Sequence, residues 1–216
     1  MSVFNYEHRV SYYPVPKIAC TSMKKLFFRL ENGFEFRNFR ANGKSKTIHS
    51  FYGSRPFEKS RQDDVEGHFR VAVVRDPVDR LVSCYRNRVV FHKDLSEQRL
   101  SPAAVAAGLV PDPSLSTFVR ELDGYVQHTG SISHHAAPIV TYLGHDPKWF
   151  SAIRNLQEIE QLITELQAIV GNEHPLSLPR EQTGGPKLSR QDLTPSEITK
   201  IEQFYAKDYD IYGRFF

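Results

Sequence analysis

The stretch from Tyr12 to Leu30, YYPVPKIACTSMKKLFFRL, constrains the fold most, because its character changes halfway along. Its first part is an extended apolar run that suits a strand ending at Val15. Beyond Pro16, the apolar residues Met23, Leu26, Phe27 and Leu30 recur at offsets of three, four and seven, one face of a helix, with Lys24, Lys25 and Arg29 turned elsewhere. Thr21 or Ser22 is the expected N-cap. The connecting residues Lys17, Ile18, Ala19, Cys20, Thr21 and Ser22 then lie at a helix N-terminus, where unpaired amides and the positive dipole end favour an anion. A lysine and two hydroxyls add ligands, so the segment reads as a phosphate-binding loop. The glycines of the G-x-x-x-x-G-K-[ST] signature are absent, and a strand followed by a capped helix would explain the same residues as scaffold.

A second stretch of the same kind favours the phosphate-loop reading. In HFRVAVVRDPVDRLVSCYRNRVV, His68 to Val90, a buried-strand run of Val71, Ala72, Val73 and Val74 leads to Arg75, then to Asp76 as N-cap and Pro77 at the first helical position. Leu81, Val82, Tyr85 and Val89 face a core, Ser83 lies on another face, and the arginines at 80, 86 and 88 make the remainder basic. Two strand-loop-helix units with basic and hydroxyl residues at their loops suit a ligand carrying phosphate-like charge at both ends.

This pair resembles the two nucleotide-binding segments of the sulfotransferases that use 3′-phosphoadenosine-5′-phosphosulfate (PAPS), in particular the Golgi-type carbohydrate sulfotransferases and their bacterial relatives. Their first segment, P-K-x-x-x-T-[SN]-W-K, is matched by Pro16, Lys17, Thr21, Ser22 and Lys24, with Met23 where tryptophan is usual. Their second, R-[DN]-P-x-x-R-x-x-S-x-Y, is matched throughout by Arg75, Asp76, Pro77, Arg80, Ser83 and Tyr85. The resemblance implies an α/β fold of three layers like that of P-loop NTPases, with a central, mostly parallel sheet flanked by helices, and the alternation of strand and helix patterns argues for the same class. It also implies in-line transfer of a sulfuryl group from PAPS to an acceptor hydroxyl. Lys17 would stabilise charge on the oxygen leaving with the 5′-phosphate, and the loop from Lys17 to Ser22 would hold that phosphate. Arg75 and Ser83 would hold the 3′-phosphate. No metal is required where cations and amides carry the charge.

Further matches extend the likeness along the chain. His135 and Pro138 keep the H-x-x-P spacing of a family segment that lies between a short helix and a strand, which makes His135 the first candidate for the catalytic base, ahead of His134 and His49. Adjacent histidines could also ligate a metal, but no third ligand follows at a suitable spacing. The segment LSLPREQTGGPK, residues 176 to 187, is similar to a family stretch with Gln182 in place of asparagine, and its glycines and Lys187 suit a loop closing over the 3′-phosphate. Thr194, Pro195 and Glu197 form a helix start of the capping-box kind, with Ile198, Ile201, Phe204 and Tyr205 inward. The ending YAKDYDIYG resembles the family terminus and reads as packing. Between the nucleotide segments, residues 31 to 67 show no strong period and carry Lys44, Lys46, His49, Arg55, Lys59 and Arg61, as a long basic loop with a short helix that could rim an acceptor cleft.

Composition bounds the alternatives. A chain of 216 residues, 40% hydrophobic, can bury one substantial core, so 1–216 is expected to be a single domain. A net charge of +3 is too mild to imply nucleic acid. Cys20 and Cys84 both fall in the proposed nucleotide segments, which argues for a reducing compartment rather than a disulfide framework. No signal peptide and no run of about 20 apolar residues is present, so a cytoplasmic enzyme without an integral membrane segment is expected. A small kinase is disfavoured by the missing glycine-rich loop; the remaining alternative is a non-catalytic protein that binds nucleotide or anionic glycan on the same fold. Carbohydrate, glycolipid and small-metabolite acceptors all fit these residues.

Overall fold

The computed structural model describes residues 3–60, 62–171, 175–179 and 185–216. In chain order its elements are β1 (Val3–Asn5), β2 (Val10–Tyr13), α1 (Cys20–Asn32), β3 (Phe39–Ala41), β4 (Lys44–Lys46), α2 (Ile48–Phe51), β5 (Phe69–Val74) and α3 (Pro77–Cys84), which runs on as a π-helical stretch, Tyr85–Phe91. There follow α4 (Pro102–Ala106), α5 (Leu115–Arg120), α6 (Leu122–His128), α7 (Gly130–Ala136), α8 (Ile139–Leu143), β6 (Ala152–Asn155), α9 (Ile159–Val170), α10 (Pro195–Phe204) and α11 (Ala206–Tyr212). By internal packing they form two compact units, one of Met1–Val74, Ile139–Glu181 and Arg214–Phe216, the other of Arg75–Pro138 and Gln182–Gly213.

The first unit holds the sheet, in the order β1-β2-β5-β6. β1 pairs antiparallel with β2, whereas β2 with β5 and β5 with β6 are parallel. Parallel partners end at one edge, so the chain leaves β2, β5 and β6 on the same side of the sheet, where ligands of α/β proteins bind. Helix α1 packs on β1 and α9 on β6, as expected for an α/β fold with a mostly parallel, helix-flanked sheet. Val71 to Val74 are buried on both faces, matching their unbroken apolar run. The strand before the first loop stops at Tyr13 rather than Val15, because Pro14 and Pro16 offer no amide to a ladder.

The second unit is helical, its core built from residues such as Val78, Leu81, Val89, Phe118, Leu122, Tyr125, Ile201 and Tyr205. Asp76 caps α3 as expected, accepting from the amides of Val78 at 2.9 Å and Asp79 at 3.3 Å. The capping box of Thr194 and Glu197 is likewise formed at α10.

Three expectations need correction. Residues 39–46 are a hairpin, not irregular loop: Asn42 and Gly43 take φ of 52° and 71°, the left-handed pair that a tight two-residue turn requires. His135 lies within the helix α7 itself rather than after it, and the helix α8 intervenes before the strand β6. Arg80, expected on a basic surface, is fully buried; it donates to the carbonyl of Ala137 and lies over the ring of Tyr205 at 5.4 Å. A helix that turns its Leu81 and Val89 inward brings Arg80 to the packed side whenever a second helix covers that flank. Among the described residues, no helix is long and apolar enough to cross a membrane.

Candidate functional site

In the first unit, the loop after β2 enters α1 through two residues in the left-handed region, Lys17 at φ 69° and Ala19 at φ 46°. For residues with a Cβ this conformation costs roughly 1–2 kcal/mol each, and such strain gathers at functional sites. Ala19 is the N-cap, and it makes no side-chain cap hydrogen bond to the first turn. The first helical bond runs from the Met23 amide to the Ala19 carbonyl at 3.0 Å. Thr21 and Ser22 therefore do not cap the helix as expected but stand within its first turn, because the chain turns into helical geometry ahead of them. A left-handed residue followed by right-handed ones directs successive N–H groups into one concavity, the arrangement that holds phosphate in nucleotide-binding loops.

The side chains around that concavity divide sharply. Lys17, Ala19, Cys20 and Thr21 are half-buried, Ser22 is buried, and Ile18 is wholly inside. Ile18, expected among the ligand contacts, has only its backbone to offer. Thr21 Oγ1 lies 3.1 Å from His49 Nε2 on α2, and Lys24 Nζ lies 3.2 Å from His49 Nδ1 and 3.0 Å from Ser54 Oγ. An ammonium only donates, so Nδ1 accepts and the neutral ring carries its proton on Nε2, which donates to Thr21. The Thr21 hydroxyl is left to donate its own proton to another acceptor. Lys24 is fully buried, and burial pushes its ammonium pKa down against an opposing pull from Cys20. Its place beside this chain of contacts was readable from its i,i+3 spacing to Thr21 on one helix face.

In the second unit, the motif from Arg75 to Tyr85 separates into scaffold and available groups. Besides the two amides, the Asp76 carboxylate receives Arg190 Nη1 at 3.3 Å and Tyr209 Oη at 3.2 Å. Tyr85 donates to the carbonyl of Pro113 at 2.9 Å, and Arg80 is buried. Of the motif, Arg75, Asp76 and Ser83 are partly exposed, and Asp76 is taken up by the contacts just given. Burial lowers the pKa of the Arg75 guanidinium, Asp79 and Asp76 raise it, and the like charge of Arg86 lowers it further. Two guanidinium groups in mutual repulsion favour an anion near them. Gly185, at φ 108°, is required where it stands, since a Cβ would lie 2.4 Å from the Arg86 carbonyl oxygen. Lys187 is exposed two residues further on; Gln182 lies outside the described residues.

His135 sits in the last turn of α7, with Nδ1 at 2.8 Å from the Ser131 carbonyl. A carbonyl only accepts, so Nδ1 carries the proton and the lone pair of the neutral ring is on Nε2, the tautomer a base needs. Ser131 in turn donates to Asp94, which Arg88 Nε and Arg99 Nη1 each approach to 2.7 Å. Asp94 thereby ties α7 to the chain after the π-helical stretch. The loop from Lys17 to Ser22 belongs to the first unit; Arg75, Ser83, His135 and Lys187 belong to the second.

Other openings suit the chemistry poorly. A cavity of about 450 Å³ is lined by Glu58, Ser60, Gln62, Asp63 and Asp64, whose carboxylates would repel a phosphate. No cluster of three metal-ligating side chains exists among the described residues.

Residues 2–215 match the sulfotransferase family, and the chain belongs to it. It is 24% identical, over 226 aligned positions covering 97% of its length, to carbohydrate sulfotransferase 14 of Danio rerio. The chain spans 60% of that relative's own length. No solved structure matches it.

Proposed function

We propose that this chain transfers a sulfuryl group from PAPS to a hydroxyl of a carbohydrate or glycoconjugate acceptor. The observation that carries the reading is the uncapped start of α1, reached through left-handed Lys17 and Ala19 at the exit edge of the sheet, in a chain of this family. The amides of Ala19 to Ser22 and the Thr21 hydroxyl would bind the 5′-phosphate, with His49 holding Thr21 in its donating orientation. Arg75 and Ser83 would bind the 3′-phosphate, and Lys187 would close on it. In the transfer, the bond from sulfur to the bridging oxygen breaks as the acceptor oxygen bonds to sulfur. The acceptor proton goes to His135 Nε2, and Lys17 offsets the charge that develops on the departing phosphate oxygen. The products are a sulfate ester and 3′-phosphoadenosine-5′-phosphate. The name of the zebrafish relative makes carbohydrates the first acceptors to try.

The test is calorimetric binding of 3′-phosphoadenosine-5′-phosphate to the wild type and to Arg75→Ala, without magnesium and with ATP as competitor. Magnesium-independent binding that excludes ATP and weakens about tenfold to a hundredfold in the variant is expected from the loss of a charge-assisted, bidentate contact. Equal affinity for ATP, or no effect of the substitution, would refute the donor assignment.

A further inference from the structure

The end of α1, the β3–β4 hairpin and α2 carry an aromatic cluster that the donor loop does not use. The Phe28 ring meets Phe34, Phe36 and Phe51 edge-on, at centroid distances of 5.5, 5.1 and 6.2 Å, and Phe51 reaches Phe39 at 6.1 Å. Phe34, Phe39 and Phe51 nevertheless remain 63%, 47% and 43% exposed. Single exposed rings need no explanation, but a connected set of them marks a surface built to be covered.

The charges around the rings say by what. Arg37, Arg40, Lys44 and Lys46 lie on the same segment, and among the described residues none of them is paired with a carboxylate. The nearby acids are engaged elsewhere: Glu35 with Arg29 at 3.2 Å, and Glu31 as acceptor from Tyr52. In the hairpin Phe39 is directly opposite Lys46, so a bare ring and an ammonium share one face. Sugar-binding surfaces set rings beside carboxylates and amides that take up hydroxyls. Here the surrounding polar groups are mainly cations, and the exposed rings are phenylalanines without a polar tip.

We propose that this face docks on an anionic lipid surface, with Phe34 and Phe39 entering the headgroup boundary and Lys44 and Lys46, which share Phe39's face of the hairpin, meeting lipid phosphates and carboxylates. Basic residues are drawn to such a surface, and several together with inserted rings make a reversible anchor. Docking needs nothing of the donor site, so it stands or falls apart from the proposed transfer.

Vesicle flotation tests it, using phosphatidylcholine vesicles with and without one-third phosphatidylserine, for the wild type, for Phe34→Ser with Phe39→Ser, and for Lys44→Glu with Lys46→Glu. The wild type is expected to float only with the anionic vesicles, less so in high salt. Each double variant should lose about tenfold or more in partitioning while keeping its melting temperature and its nucleotide binding. Equal binding to neutral vesicles, or none to anionic ones, would overturn the proposal. So would heparin displacing the vesicles with the phenylalanine variant binding as well as wild type, which would mark a polyanion surface. A concentration-dependent dimer abolished by the phenylalanine substitutions would instead assign the face to self-association.

Discussion

At the start of α1 the N-cap Ala19 supplies no side-chain cap, whereas at the start of α3 the Asp76 carboxylate takes two amides and draws in Arg190 and Tyr209. Both helices follow strands that end at one edge of the sheet, yet only the first starts without a side-chain cap from its N-cap residue. At the second, a phosphate would have to displace a carboxylate already in place, so any anion there must be held by the side chains of Arg75 and Ser83. One unit offers backbone and the other offers side chains. Short of proline, substitution leaves a backbone amide in place but removes a side chain, and this asymmetry orders the expected effects.

The largest concerns Lys17, the cation at the loop that offers amides. Lys17→Ala should lower kcat by about a hundredfold to a thousandfold, the range for losing one preorganised charge at a developing anion. Nucleotide affinity should change far less, because the amides remain. If single-turnover rates and product-nucleotide affinity fell together, Lys17 would be a ground-state binder.

Next comes a contrast within the second motif. Arg80→Ala opens a buried space and leaves the Ala137 carbonyl without its donor, which should cost about 2–4 kcal/mol in urea unfolding. Arg75→Ala should leave the unfolding midpoint nearly unchanged while weakening nucleotide. Equal stability loss in both would mean that the division of the motif into scaffold and ligand groups is wrong.

Asp76→Ala goes to the difference between the helix starts themselves. Removing the cap should cost about 1–2 kcal/mol. It also exposes the amides of Val78 and Asp79, so sulfate should restore stability to this variant more than it stabilises the wild type. A midpoint insensitive to sulfate in both proteins would show that the freed amides do not make an anion site.

Much of this was legible in the sequence, for reasons that also explain the failures. Val71 to Val74, the Asp76-Pro77 start and the capping box at Thr194 were readable because each is a local pattern with a local cause. The hairpin at Asn42 and Gly43 had the same kind of signal, but the surrounding polar residues hid strands only three residues long. Arg80 was misplaced because a helix period shows which residues share a face, not how many faces will be covered. The contact between Lys24 and His49 escaped for a different reason: the two residues stand 25 positions apart, and only the packing of α2 on α1 brings them together. The cap of α1 failed most instructively, since Thr21 and Ser22 are good capping residues overruled by the backbone of the loop before them.

That overruling predicts the smallest effect. Ala19 holds φ 46° with a methyl group where glycine would stand without strain. Ala19→Gly removes that strain in the folded state but widens the freedom of the unfolded chain, two terms of opposite sign and similar size. Because a left-handed alanine costs roughly 1–2 kcal/mol and the added entropy about 0.4–1 kcal/mol, the net should be a gain of about 0.5–1 kcal/mol, read as a small rise in the urea midpoint. The amides of residues 19 to 22 are unchanged, so nucleotide affinity should fall by no more than the greater flexibility of the loop allows, about twofold. A large loss of affinity with unchanged stability would mean that the methyl group itself, not the backbone, shapes the concavity, and the contrast between a backbone site and a side-chain site would no longer hold.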